Sequence, residues 1–318
     1  MRITTLAGGV GGARFLRGLL HAFPAADVTV IGNTGDDITL HGVRICPDLD
    51  TVMYTLGGGI HEEQGWGRAA ETFQVQDELS AYGEGPAWFG LGDRDIATHL
   101  IRTRLLREGA SLSEVTRGLC ERWRPGVRLL PMSDDPVETH VDTDDATLHF
   151  QEWWIRLHAE PAVRRFDFVG APTAQPAPGV IAALEQADVI VLPPSNPVVS
   201  IGAILAVPGI AAALRTANVP VVGVSPIIGT APVRGMADAC LRAIGVDTTA
   251  YAVARHYGPR SEGGLLDGWL VDESDKDAAD RLDEEGLAAR AVPLWMHDVE
   301  TTAAIATEAL QLAEDVRR

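Results

Sequence analysis

The sequence predicts an α/β chain: a doubly wound, mostly parallel Rossmann-like sheet carrying a helical elaboration. Three observations predict it. The chain opens with a strand, a glycine-rich turn and a helix; buried apolar strand candidates then alternate with helical stretches; and four of those strands run straight into loops rich in Gly, Pro, Ser, Asn or Asp.

Arg2 to Ala7 reads as the first strand, Gly8 to Gly12 as a turn, and Ala13 to Phe23 as a helix with Phe15, Leu16, Leu19 and Leu20 on one side. Asp27 to Ile31 gives a second strand, followed by the polar loop Gly32 to Asp37. From about 60 to 125 the chain reads as a mainly helical insertion, clearest at Asp93–Glu108 and at Ser111–Trp123, where Ser111 and Glu114 have capping-box spacing. Val127–Pro131 and Glu138–Ile155 look like strands. Asp188–Leu192 and Val219–Val224 flank a helix expected at Ile204–Arg215, the pattern of a parallel crossover. Trp269–Val271 is a further strand, Asp277–Glu285 an acidic helix and Glu300–Val316 the last helix. With no internal repeat and no long linker, residues 1–318 read as one domain.

Composition narrows the function. A chain of 318 residues with 46% hydrophobic content can bury a large core. Its longest apolar stretch, Val189 to Leu214, is interrupted by Pro193, Pro194 and Pro197, so no membrane span is expected, and the N-terminus has no secretory-signal pattern. Cytoplasmic residence follows as the expectation. The net charge of −18 argues against nucleic acid or acidic membranes as partners. Cys46, Cys120 and Cys240 lack metal-site spacing and read as reduced thiols. Lys276 is the single lysine, which leaves none for a Walker-type phosphate loop.

The chemistry is expected where the four loops meet, because loops at the carboxyl ends of parallel strands line one crevice. They are Gly8–Gly12, Asn33–Asp37, Pro194–Ser200 and Ser225–Arg234. Glycines in the first admit an anion to backbone amides and a helix N-terminus, although Arg14 stands where a strict dinucleotide fingerprint needs glycine. Asp36, Asp37, Asp48 and Asp50, with the pairs Asp93/Asp95 and Asp134/Asp135, offer the hard oxygen ligands that suit Mg²⁺; each pair is also of the type that caps helices. Arg94 can fork onto phosphate or form a local salt bridge. His99 reads first as a structural histidine, and Trp66, Trp88, Phe89, Trp153 and Trp154 as core aromatics that could also stack a flat heterocycle. There is no G-x-S-x-G nucleophile elbow.

Seven separated strings carry a resemblance: Gly8-Gly9-Val10-Gly11, Asn33-Thr34, Pro47 to Val52, Leu91 to Asp95 with Thr98-His99, Pro131 to Pro136, Pro194 to Pro197 with Ser200 to Gly202, and Ser225 to Gly229. In this order the chain resembles the 2-phospho-L-lactate transferase family along nearly its whole length, with Pro193 where that family is associated with glycine. The resemblance implies transfer of a phosphorylated three-carbon acid from a guanosine diphosphate-linked donor to the terminal hydroxyl of the deazaflavin Fo. GMP is released and (dehydro) coenzyme F420-0 formed. The resemblance implies that the guanosine diphosphate-linked acid is phosphoenolpyruvate, as in the mycobacterial branch, or phospholactate. On this reading Asp48 and Asp50 hold Mg²⁺ or the acceptor hydroxyl, and Arg94 with the amides of Gly9, Gly11 and Gly12 meets phosphate or acceptor. Ser195, Asn196 and Ser200 take the nucleotide, with Asn33, Thr34 and Asp93 completing the binding set. The family also implies a homodimer. A nucleotide-sugar-binding regulatory protein of the same superfamily and a nicotinamide dehydrogenase are the alternatives, and Asp50→Asn is expected to abolish transfer with the fold intact.

Overall fold

The computed structural model describes residues 1–317. Seven strands form its central sheet: β1 (Arg2–Ala7), β2 (Asp27–Gly32), β3 (Arg128–Pro131), β4 (Val189–Leu192), β5 (Val221–Val224), β6 (Gly268–Asp272) and β7 (Ala288–Val292). Their spatial order is β7-β6-β5-β4-β1-β2-β3, and every pairing is parallel. The chain therefore winds outward in both directions from β1 and β4. That junction is the topological switch point at which α/β sheets open a crevice.

Alternation along the strands explains why both faces are covered. Val189 and Val191 of β4 belong to one apolar cluster with Phe15, Leu16, Val52, Val115 and Ile305, whereas Ile190 and Leu192 belong to the other, with Val180, Ile204, Ile210 and Val253. The first cluster seats α1 (Gly9–Ala22), α2 (Pro47–Leu56), α5 (Leu112–Trp123) and the C-terminal helix Val299–Asp315; between α2 and α5 come α3 (Gln74–Ala81) and α4 (Asp93–Arg107).

Several expectations need correction. Helix α1 begins at Gly9, so the glycines form its first turn rather than a loop ahead of it. Between about 60 and 92 the insertion is mostly irregular, with only the eight-residue α3, because seven residues there are glycine or proline. The strand expected over Glu138–Ile155 ends at His149 in an antiparallel sheet with Val163–Val169, and 152–156 coil into a wide turn. The helix expected at Ile204–Arg215 breaks at Pro208-Gly209, where Gly209 has φ +95°. The capping box at Ser111 and Glu114 forms as expected.

Candidate active site

The loops after β1, β2 and β4 interlock at the switch point. The backbone N–H of Gly8 donates to Ser195 Oγ at 3.3 Å, and that hydroxyl donates back to the Gly8 carbonyl at 3.0 Å. A Cβ on Gly8 would lie 2.6 Å from both Asp48 Oδ2 and Ser200 Cβ. One on Gly11 would fall inside contact distance of the Pro194 carbonyl oxygen, and one on Gly12 would lie 2.8 Å from Ser195 Oγ. Glycine is thus required by close approach of two chain segments, which is also what exposes the amides of the α1 N-terminus.

Asn33 ties in the second strand. Its Nδ2 donates to Asp48 Oδ2 at 2.9 Å, while its Oδ1 accepts from the Gly35 N–H at 2.8 Å. Thr34 beside it is buried, with its hydroxyl unpartnered among the described residues. Burial pushes Asp48 up to about 6, against the opposing hydrogen bonds from Asn33 and the Gly9 amide. Asp36 is raised well above the carboxylate range, by burial first and then by the negative charge of Asp48, and its Oδ1 has no partner among the described residues. Neither carboxylate has an arginine among the groups acting on it. Two buried acids without a cation suit a small hard dication. Asp37 differs: Arg44 stands 3.7 Å away, and burial still raises it to about 7.

Asp50 looks elsewhere. Two residues apart on α2, Asp48 and Asp50 point about 200° apart around the helix axis, so they do not form the shared Mg²⁺ ligand pair that the family resemblance implied. Asp50 forms an ion pair with Arg102 of α4, and the two residues are 4% and 1% exposed. Arg102 Nη1 lies 3.2 Å from His99 Nδ1, and His99 Nε2 lies 3.5 Å from Asp95, which accepts from the Tyr54 hydroxyl at 2.6 Å. Burial raises the Tyr54 phenol, and the charges of Asp50 and Asp95 add to it. Asp50, Asp95 and His99 do bring three ligand atoms within 4.8 Å of one another. The Arg102 guanidinium balances one of its two carboxylates and also faces His99 Nδ1, so part of the group is already engaged.

Most of the other expected residues make local structural contacts. Arg94 is exposed; its backbone N–H donates to Glu71 and its carbonyl accepts from Arg68, and its side chain has no hydrogen bond among the described residues. Asp93 accepts from the N–H groups of Gln74 and Val75 and so caps α3, which has no cap of its own. Asn196 Oδ1 caps Val198 and Val199, with its Nδ2 toward Cys240. Asp134 accepts from the Ser113 N–H and Asp135 from that of Gln175. Trp153 is fully buried against Phe150 and Phe166, while Trp66 is exposed. Arg102 escaped the sequence reading altogether. Its signal was the i, i+3 spacing from His99 on the inward face of α4, where an arginine needs a partner.

The family model described as "2-phospho-L-lactate transferase CofD" matches residues 3–311. A protein of Streptomyces griseus named phosphoenolpyruvate transferase is 65% identical, with 100% of each chain covered. Proteins of the same name from Thermobifida fusca and Mycobacterium avium are 60% and 53% identical, covering 100% and 98% of this chain and 99% of each relative. Among solved structures, a UPF0052-family protein from Bacillus halodurans has the same fold, with TM-score 0.63 at 17% identity over 97% of this chain and 99% of that one.

Proposed function

Because this chain belongs to the 2-phospho-L-lactate transferase family, and is a transferase, we propose that it moves a phosphoenolpyruvyl group from a guanosine diphosphate-linked donor to the terminal hydroxyl of the deazaflavin Fo. The hydroxyl oxygen bonds to the phosphorus carrying the three-carbon acid. The bond from that phosphorus to the bridging oxygen breaks, GMP leaves with the electron pair, and the hydroxyl proton passes to solvent. The product is dehydro coenzyme F420-0. The observation that carries the reading is the meeting of Asp48, Asn33 and Ser200 against the Gly8 turn at the switch point. The choice of enolpyruvyl over lactyl rests on the name borne by relatives 53–65% identical to this chain.

The residues divide the work as follows. Amides of the first α1 turn face the diphosphate, where the helix dipole favours negative charge. Asp36 and Asp48 would hold Mg²⁺, which when bound supplies charge neutralisation on the phosphate oxygens. The fit rests on two buried carboxylates lacking a cationic partner, one with a free oxygen. Asn33 fixes the Asp48 carboxylate, and Ser195 locks the Gly8 turn onto the nucleotide loop. Asp50 acts through Arg102 as a positioning residue that ties α4 and its insertion to α2. Such fixed donors and charges suffice for phosphoryl transfer, which needs alignment and electrostatic stabilisation more than covalent help. The reading also expects a cytoplasmic homodimer; no described helix is long and apolar enough to cross a membrane.

The test is mass spectrometry of the product formed from Fo with each donor, with and without chelation. Dehydro coenzyme F420-0 from the enolpyruvyl donor, lost on chelation, is expected. Product from the lactyl donor alone would overturn the donor assignment, and full activity after exhaustive chelation would overturn the role of Mg²⁺.

A further inference from the structure

Two arginines outside the set above face each other across one glycine of the insertion. A Cβ built on Gly65 would lie 3.1 Å from Arg234 Nη1, 3.5 Å from Arg14 Nη2 and 2.7 Å from Val10 Cγ1. Both guanidinium tips therefore crowd one point beside the first turn of α1. Arg14 belongs to that helix, and Arg234 lies in the segment that follows β5, so the pair joins two separate parts of the chain.

The pair lacks what other arginines here possess. Arg17, one turn further along α1, forks onto Glu62 at 2.9 and 3.1 Å. Among the described residues neither Arg14 nor Arg234 has a carboxylate within ion-pair distance, and Arg234 bonds only the Gln64 carbonyl. The proximity is unfavourable: Arg234 is held below the ordinary guanidinium value by burial and then by the positive charge of Arg14. In a chain with 44 acidic residues and a net charge of −18, two adjacent arginines without an acid leave room for an external anion.

We propose that Arg14 and Arg234 form an oxyanion clamp at the mouth of the crevice that takes the acid end of the donor, through the carboxylate or the phosphoryl oxygens of its phosphorylated three-carbon acid. This rests on the transfer reading above and deepens it. The glycine turn sits just N-terminal of Arg14 on α1, so the diphosphate and the acid are met by successive parts of one helix. Two planar forks also recognise a carboxylate or phosphate by shape, which a point charge does not.

Isothermal titration calorimetry of the full chain in Mg²⁺ tests it with phosphoenolpyruvate, pyruvate, inorganic phosphate and GMP as separate probes. Arg14→Gln and Arg234→Gln should each weaken phosphoenolpyruvate binding about 10- to 100-fold, the loss of a charge-assisted hydrogen bond, with GMP unchanged and the paired Arg17→Gln neutral. Competition by pyruvate assigns the clamp to the carboxylate, and competition by phosphate assigns it to the phosphoryl group. Should a glutamine variant fail to fold, Arg14→Lys or Arg234→Lys keeps the charge, loses the fork, and should still weaken phosphoenolpyruvate selectively. Unaltered phosphoenolpyruvate affinity in folded variants, an equal loss of GMP affinity, or no phosphoenolpyruvate binding to the wild type overturns the clamp. Clamp-dependent binding by a protein that makes no product from Fo would instead overturn the transfer reading and leave the clamp standing.

Discussion

Replacing Asp50 by asparagine conserves shape while removing one charge, and the structure turns it into a stability experiment. Arg102 is 1% exposed, and Asp50 is the carboxylate paired with it. The amide oxygen can still accept from the guanidinium, but the buried positive charge loses its compensation. Breaking a buried pair from one side costs about 3–5 kcal/mol, and the retained hydrogen bond places this case near 3. Unfolding entropy of about 2.1 cal/mol/K per residue over 318 residues converts that to a fall in Tm of roughly 4–5 °C. The expectation that the fold would stay intact is therefore replaced by a measurable loss. Calorimetry on Asp50→Asn, Arg102→Met and the double variant supplies the check, with the double variant recovering stability because no uncompensated charge remains. A Tm for Asp50→Asn within 1 °C of wild type, or no recovery in the double variant, would refute the buried-pair argument. Loss of transfer at unchanged stability would then return Asp50 to the chemistry.

Asp48→Asn should lose Mg²⁺ binding, read as loss of the Mg²⁺-dependent rise in Tm, whereas Asp50→Asn should keep that rise; equal responses would dissolve the division between the two acids. Gly11→Ala should destabilise by about 1–3 kcal/mol, an overpacking cost, since the added methyl meets the backbone carbonyl of Pro194; an unchanged urea midpoint would count against this close approach. The metal-free protein should be more stable near pH 5 than pH 8. Asp37 and Asp48 sit at about 7 and about 6 against an ordinary value of 3.8, so above 3.8 the unfolded chain ionises first, and the advantage of the folded state is lost as pH rises through 6 and 7. Urea denaturation in chelator at the two pH values measures this, and greater stability at pH 8 would contradict the sign.

The fold was legible because its signals are local. Val189 to Leu192 is apolar on both faces, as a central parallel strand must be, and Ser111 with Glu114 marks a helix start by chemistry alone. Strand β7 was missed because Ala288-Ala289-Arg290 alternates weakly; its place is decided by pairing with β6. Glycine and proline between 60 and 92 argued against the helix read there, and the structure follows them.

Sequence alone determined the residue types at the crevice: glycines where backbone must be approached, Asn33 just after β2, Asp48 in the first turn of α2, and serines on the loop after β4. Which carboxylates work together was decided only by tertiary structure. Asp48 and Asp50 are neighbours in the chain but lie about 200° apart on α2. Packing turns one toward Asn33 and Asp36 at the switch point and the other toward Arg102 on a helix more than forty residues away. A side chain's charge is fixed by its identity, but the charge it faces is fixed by what the folded chain brings beside it.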